Sequence, residues 1–433
     1  MCVPEQCVPD PSYLYSTKVG SLEPEATIER VESGAFEYFR REHNPATGLV
    51  SDSTSGGSDA SIAASGFSLA SHAVAAHRGY LTRQEAARRV LVALEFLEGR
   101  GTNGFHYHFL DPATGERAGR CEVSTIDSAI LFAGALAVAE YFDADDHVER
   151  RVRRLGTALY LAADWLWASP RSPAICHGWT PEKGFLSYDW RGYNEALLLY
   201  VLALGSSSFP VPASAYAEWL TAYRWKNVYG HEFLYGGPLF VHQTAHSFID
   251  FRGIADDYMR ARGTDYFENS RRATYVQREY AIRNPRRFAG YGENCWGVSA
   301  STGPGGAGFH GYRARGVPYG PDDGTIAPWA TAASLPFAPE IVLPALTFMD
   351  ESIGQHGGHG LGACFNRTYA LAAQGDHWTA PDSFGIDQGP VVLMLENYRS
   401  DLIWRLLRSS PYVRRGLERA GFSGGWLEET AAA

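Results

Sequence analysis

Residues 185–204 read FLSYDWRGYNEALLLYVLAL. The second half, from Ala196 to Leu204, is apolar on every side, which predicts a helix buried in a large core rather than one lying on a surface. Just before it, residues 188–195 contain two carboxylates, an arginine, an asparagine and three aromatic rings. A buried carboxylate is costly unless something uses it, so Glu195, at the entry to this helix, is the first catalytic candidate.

Helical spacing of apolar side chains recurs along most of the chain on both sides of this stretch. Several of these segments open with a cap residue followed by an acid, as at Thr82 and Glu85. A short alternating strand is predicted at 104–109. The predicted helices cover 25–41, 61–77, 82–97, 124–142, 147–168, 192–205, 213–223, 241–261, 266–282, 327–334, 339–349, 389–397, 401–407 and 411–420.

The order of these helices predicts the architecture. They form antiparallel pairs joined by alternately short and long loops, and no change of composition marks a linker. We therefore predict an irregular arm at residues 1–24 and one all-α domain at 25–433. The domain is expected to be an α/α barrel with long loops and short strands at one end. A stack of helical repeats is the alternative, but the sequence has no fixed period to support it.

Composition narrows the possible functions. A net charge of -10 argues against nucleic-acid binding, and no apolar run is long enough to span a membrane. Aromatic residues make up 13% of the chain, and clefts that bind sugars combine such rings with carboxylates and amides. A large core would also use many aromatics. No basic segment followed by an apolar run is seen in residues 1–17, so no signal peptide is visible and the location stays open.

Three carboxylates are candidates for acid and base catalysis, which glycoside hydrolysis requires in pairs. Burial beside Tyr193 and Trp190 would raise the pKa of Glu195, whereas the helix N-terminus and Arg191 would lower it. Asp127 precedes an apolar run, but it also completes a capping box that begins at Ser124. Asp387 lies between two glycines in a segment suited to close approach of a ligand, although capping a helix would explain it equally well.

Other residues are candidates for substrate binding. Glu293 and Trp296 share a loop that combines an acid, rings and an amide. The remaining candidates stand close to Glu195 and Asp127 or in the polar segments nearer the N-terminus. They are Trp190, Tyr193, Asp189, Arg191, Glu122, His108 and Asp52.

No metal site or cofactor is expected. His356 and His359 could hold a metal, but a polar loop explains them better. Cys121, Cys176, Cys295 and Cys364 lack the close paired spacing of a zinc site. Cys2 and Cys7 could pair or be free. The sequence contains no phosphate-binding loop, dinucleotide fingerprint or nucleophile elbow.

Seven segments, taken together and in order, resemble one known family, the glucoamylase-like domain. They are EVSTIDSA at 122–129, WRGYNEA at 190–196, DFRGI at 250–254, DYFENSRRAT at 265–274, YGENCWG at 291–297, SLPFAPE at 334–340 and IDQGPVVLMLEN at 386–397. The resemblance extends from about residue 25 to 420. Named members are β-1,2-glucanases of glycoside hydrolase family 144, and the domain also occurs in cyclic β-1,2-glucan synthases.

The resemblance implies an (α/α)6 toroid and an inverting endo-hydrolase that releases sophorose-type oligosaccharides from β-1,2-glucan. Glu195 matches the glutamate of the family's Tyr-Asn-Glu-Ala segment and would be the acid, with Asp387 or Asp127 as the base. Members are usually exported. We expect a monomer whose partner is an oligo- or polysaccharide. A transglycosylase, a hydrolase of another β-glucan and a glucan-binding protein without activity remain alternatives.

Overall fold

A computed structural model describes residues 24–305, 311–353, 361, 364–369 and 377–429. Helices dominate it: α1 Pro24–Arg41, α2 Ile62–Arg78, α3 Arg83–Leu97, α4 Thr125–Tyr141, α5 His147–Leu161, α6 Leu197–Gly205, α7 Ala213–Leu220, α8 Thr244–Phe248, α9 Asp257–Ala261, α10 Tyr266–Arg283, α11 Pro328–Ala332, α12 Pro339–Ile353, α13 Gly385–Ser400, α14 Leu402–Ser409, α15 Pro411–Arg419 and α16 Trp426–Glu429. A 3-10 helix, Leu239–His242, precedes α8. In the part of the chain that is described, none of the helices is long and apolar enough to cross a membrane.

Short strands lie in the segments between helices and pair with one another in antiparallel fashion. They are β1 Ala60–Ser61, β2 Phe109–Leu110, β3 Val123–Ser124, β4 Gly178–Thr180, β5 Gly184–Phe185, β6 Trp225–Val228, β7 His231–Leu234, β8 Ser301–Thr302, β9 Tyr312–Arg313, β10 Phe365–Asn366 and β11 Trp378–Thr379. β1 pairs with β2, β6 with β7, β8 with β9 and β10 with β11, while β3, β4 and β5 form one sheet. Most of these strands are two residues long, so they position loops rather than build a layer.

Local sequence sets the helix ends. Ser61, Thr82 and Ser124 each accept a hydrogen bond from a backbone N–H in the first turn of the helix that follows. After α2 the chain turns at Gly79, whose φ of 77° lies in the left-handed region that glycine tolerates best. Of the capping box predicted at Ser124, the N-cap hydrogen bond is confirmed, whereas the reciprocal bond is not formed, because the Ser124 backbone N–H donates to the His106 carbonyl oxygen.

Several predicted boundaries were wrong. The helix predicted at 192–205 begins only at Leu197, so Glu195 lies in the turn before it. The segment predicted as one helix at 241–261 divides into the 3-10 helix, α8 and α9. The helix predicted at 147–168 ends at Leu161, and α16 was not predicted. The predicted strand at 104–109 is reduced to isolated bridges and the start of β2. Pro24 begins α1, and the rest of the predicted arm lies outside the described residues.

Some helices are buried along nearly their whole length, and others have one side exposed to solvent. In α2, α4, α6 and α13 nearly every residue is buried, whereas α1, α3, α5 and α15 alternate buried and exposed side chains. α2 packs against α4 and α13, and α6 packs against α15. Apolar side chains from α1 through α16 form one main hydrophobic cluster. Each leucine or valine buried there stabilises the fold by about 1.5–3 kcal/mol, so the helices that are apolar all round become the interior.

Candidate active site

A cavity of about 420 Å³ lies where several of the buried helices begin. Ser61 caps α2, Asp127 is in the first turn of α4, and Glu195 lies just before α6. Thr244 opens α8, Trp329 follows the first residue of α11, and Phe384 caps α13. The other lining residues are Asp52, Phe67, His108, Phe109, Ile126, Ile130, Phe240, Ala300, Tyr312, Ile386 and Pro390. The cavity therefore combines acids and apolar or aromatic walls, the mixture that suits a sugar ring.

Glu195 is held in a state suited to a general acid. Part of its side chain stays accessible and lines the cavity, while the surrounding apolar helices remove most of its contact with bulk water. Burial, reinforced by the nearby charge of Asp127, raises the pKa of Glu195 to about 7. The Glu195 backbone N–H opposes this rise only in part. The carboxyl group therefore keeps its proton close to neutral pH.

Asp127 belongs to a cluster of charged groups on the wall formed by α4 and the preceding loops. It is 5% exposed, and its carboxylate accepts a short hydrogen bond from the hydroxyl of Ser124. The Nε2 atom of His108 lies 3.7 Å from Asp127 Oδ2, and His108 Nδ1 lies 3.0 Å from Glu122 Oε1. Three predicted residues thus meet in one network.

Asp52 joins this network from the loop before β1. The pKa of Asp52 is raised to about 6, mainly by burial. This value includes a lowering by the positive charge of His108 and a raising by the negative charges of Asp127 and Asp59. Asp52 also acts electrostatically on Asp387, so these acids lie within range of one another.

Asp387 lies in the first turn of α13 and is 4% exposed. It borders a small chamber beside the main cavity, and the two spaces share Trp329 and Phe384 as walls. The Tyr312 hydroxyl, which belongs to the main cavity, donates a 2.5 Å hydrogen bond to Asp387 Oδ1. Burial raises the pKa of Asp387 well above its ordinary value, against the effect of that hydrogen bond. Phe384, not Asp387, occupies the N-cap position.

The aromatic residues next to Glu195 do not line the cavity. Trp190 is 7% exposed, stacks on His177 and donates from Nε1 to the Thr125 hydroxyl. Tyr193 is half-buried and lies among other rings, with its ring parallel to that of Tyr266. Both therefore support the loop that carries Glu195.

The charged residues beside Glu195 face other partners. Asp189 accepts a hydrogen bond from Arg171, and Arg191 forms an ion pair with Glu218. Neither Asp189 nor Arg191 is among the residues that line the cavity.

The predicted loop at 291–297 also lies away from the cavity lining. The Glu293 side chain is 68% exposed and forms an ion pair with Arg278, while Trp296 is completely buried. Within the described residues, no group of three or more His, Cys, Asp or Glu side chains is arranged to hold a metal ion. His356 and His359, together with Cys2 and Cys7, lie outside the described residues.

Sequence reasoning missed most of the cavity walls. The sequence analysis did not single out Phe67, Phe240, Thr244, Tyr312 and Trp329. The four aromatic residues among them are isolated in the sequence and resemble ordinary core residues. One available signal was position: Thr244 and Trp329, like Asp127, stand at the beginning of a helix.

Comparison with protein families gives a match that covers 225 residues, 187–411, to the model named Glycoamylase and described as "Putative glucoamylase". A crystal structure from Bacteroides uniformis with the same description is 32% identical, with a TM-score of 0.87 over 95% of this chain and 100% of that one. The chain belongs to the glucoamylase-like family.

Two further relatives of this glucoamylase-like chain carry names with an activity. The structure of an endo-β-1,2-glucanase from Chitinophaga pinensis, in complex with sophorotriose and glucose, is 28% identical. Its TM-score is 0.84, covering 94% of this chain and 100% of that one. An exo β-1,2-glucooligosaccharide sophorohydrolase (non-reducing end) from Parabacteroides distasonis is 28% identical over 91% of this chain. The glucoamylase-like chain spans 58% of the length of that curated relative.

Proposed function

We propose that this protein is a glycoside hydrolase that cleaves β-1,2-glucan to sophorose-type oligosaccharides by general acid/base catalysis. The observation that carries the proposal is the position of Glu195, a carboxyl group that keeps its proton near neutral pH in a cavity also lined by Asp52 and Asp127. Glycoside hydrolysis needs this arrangement of one protonated acid and a second carboxylate. The names of the Chitinophaga and Parabacteroides relatives support β-1,2-linked glucose as the substrate.

In the proposed mechanism, Glu195 donates its proton to the glycosidic oxygen as the bond to the leaving sugar breaks. A water molecule attacks the anomeric carbon from the opposite face, and Asp127 or Asp387 accepts a proton from that water. Asp127 is held in place by its contacts with His108 and the Ser124 hydroxyl. Asp387 is held in place by the Tyr312 hydroxyl, and because burial raises its pKa, it can act as a base only at pH values above that raised pKa.

We propose the (α/α)6 toroid as the architecture that assembles this cavity, in a single domain over residues 25–433. The contacts among buried helices support a closed ring, because five of these helices return to their starting point in the order α2, α4, α6, α8, α13 and α2. In such a ring the inner helices run in the same direction, so that their N-terminal ends meet on one side. Acids far apart in sequence then share one cavity.

The first test replaces the proposed acid. Glu195→Gln keeps the shape of the side chain but has no acidic proton. Sugar release from linear β-1,2-glucan is therefore expected to fall by about 10²–10⁴-fold. Glu293→Gln is the matched control, because Glu293 is exposed and lies outside the cavity lining. Full activity of the Glu195→Gln variant would remove Glu195 from the mechanism.

Product analysis separates the remaining alternatives. For an endo-acting, inverting hydrolase we expect a spread of oligosaccharide lengths by chromatography and α-anomers as first products by NMR. Sophorose alone would indicate exo action, as in the name of the Parabacteroides relative. Elongated or cyclic products would indicate a transglycosylase. Binding of glucan without turnover by the wild-type protein would overturn the assignment as an enzyme.

A further inference from the structure

His108 occupies an unusual position between two acids. Its Nδ1 atom lies 3.0 Å from Glu122 Oε1 and its Nε2 atom lies 3.7 Å from Asp127 Oδ2. The imidazole stacks on Phe109 with ring centroids 4.0 Å apart and planes 12° apart. Its backbone N–H donates to the Glu122 carbonyl oxygen at 2.8 Å. Both the ring and the backbone of His108 are therefore held in place.

The carboxylates of Glu122 and Asp127 determine the protonation state of the His108 ring. A neutral imidazole has one donor nitrogen and one acceptor nitrogen, and an acceptor would face a carboxylate oxygen with like partial charge. Only the imidazolium can direct an N–H towards both Glu122 and Asp127. Among the described residues that line the cavity, His108 is also the one basic side chain.

We propose that His108 is a positioning residue that acts as a cation: it bridges Glu122 and Asp127, orients the Asp127 carboxylate, and offsets the negative charge of the cavity. Its effect on catalysis rests on the proposed hydrolase function. Burial alone would lower the pKa of His108, but Asp127, Glu122 and Asp52 together raise it to about 9. In return, the hydrogen bond from His108 is the main cause that lowers the pKa of Glu122.

The bridge gives two acids of one cavity different neighbours. Asp127 is next to a cation, whereas Glu195, near Asp127 and away from water, keeps its proton. Without the cation, Asp52 would take up a proton at higher pH than in the wild type. The charged groups that act on this network are Asp52, Asp59, Arg117, Glu122, Asp127 and His177.

The direct test is an NMR titration of the full-length protein with isotope-labelled histidine, and the His108 signal is assigned by its loss in His108→Gln. We expect the His108 ring to stay protonated through neutral pH and to titrate at about pH 9. In Glu122→Gln the midpoint should fall by about one unit or more, because one of the two carboxylates is gone. Titration of His108 in the wild type at or below its ordinary value of 6.5 would overturn the proposal.

A kinetic test separates this role from simple structural support. In His108→Gln the acidic limb of the kcat/KM profile on β-1,2-glucan should move to higher pH by about one unit or more, because a carboxylate loses its cation. His231→Gln, a histidine outside the cavity lining, should leave the profile unchanged. An unmoved acidic limb in a folded His108→Gln variant would overturn the positioning role.

The two readouts also distinguish this inference from the proposed function. If the wild type fails to cleave β-1,2-glucan while His108 titrates near pH 9, the hydrolase assignment fails and the charged bridge stands. If the wild type cleaves the glucan while His108 titrates as an ordinary histidine, the bridge fails and the hydrolase assignment stands.

Discussion

At the scale of single residues, surroundings rather than residue type separate the acids of the cavity. Glu195 lies among apolar helices, so burial dominates and the proton is retained. Asp127 is also buried, and it contacts His108 and the Ser124 hydroxyl. In the proposed mechanism Glu195 gives a proton and a second carboxylate accepts one, and such a division of roles is set by the surroundings of each acid.

This difference predicts the pH dependence of activity. Because the pKa of Glu195 is raised to about 7, the acid loses its proton as pH rises through that value. We expect kcat/KM on β-1,2-glucan, which reports groups of the free enzyme, to fall tenfold for each unit well above the pKa. A stopped assay of reducing sugar in buffers of constant ionic strength measures it. A profile that is flat through neutral pH up to about 9 would contradict Glu195 as the acid.

At the scale of secondary structure, glycines set how closely the buried helices approach. A Cβ atom on Gly134 of α4 would clash with the backbone carbonyl oxygen of Gly66 in α2. The same relation holds between α6 and α15, where a Cβ on Gly205 would clash with the carbonyl oxygen of Tyr412. Backbone cannot move aside as a flexible side chain can, so these helix pairs depend on the missing side chain.

Gly134→Ala is therefore expected to destabilise the fold, although alanine is the better helix former by about 1 kcal/mol. Overpacking of this kind costs about 1–3 kcal/mol, and contact with backbone places it at the upper end. Urea denaturation followed by circular dichroism measures the free energy of unfolding. Gly56→Ala is the control, since nothing lies within 4 Å of the added methyl group. Equal stability of both variants would contradict the close contact.

At the scale of the whole molecule, contacts between charged side chains join α1, where the described chain begins, to α13 and α2. Arg399 near the end of α13 contacts Glu25, Glu29 and Glu32 of α1. Glu396, one turn earlier, is fully buried and pairs with Arg78 of α2. Burial, and then the charge of Glu396, raise the pKa of Glu32 to about 8, although Arg399 opposes this.

The raised pKa of Glu32 predicts how stability changes with pH. Between its ordinary value of 4.5 and about 8, the folded protein holds a proton on Glu32 that the unfolded chain releases. The free energy of unfolding should therefore decrease as pH rises through this interval.

Glu32→Gln should weaken that dependence, because the amide has no proton to lose. Urea denaturation at about pH 5.5 and about pH 8 measures the difference. Glu25→Gln, which removes an exposed partner of the same arginine, should behave as the wild type does. An unchanged slope in Glu32→Gln would show that Glu32 is not the group responsible.

Local patterns in the sequence were enough to predict much of the secondary structure of this protein. Apolar periodicity located most helices, serine and threonine caps located their starts, and the apolar run after Glu195 identified a buried helix. The candidates named from the sequence include Glu195, Asp127, His108, Glu122 and Asp52, which the structure brings together around one cavity or its wall. These features depend on neighbours a few residues away, which the order of amino acids records directly.

Tertiary structure alone decided which aromatic and charged residues face that cavity. Trp190 and Tyr193 stand next to Glu195 in sequence but turn towards other rings, and Glu293 pairs with Arg278 instead. Tyr312 and Trp329, distant in sequence, supply the walls. The physical reason is that side-chain direction at a helix start depends on how whole helices pack. That packing joins residues hundreds of positions apart, and local patterns carry no record of it.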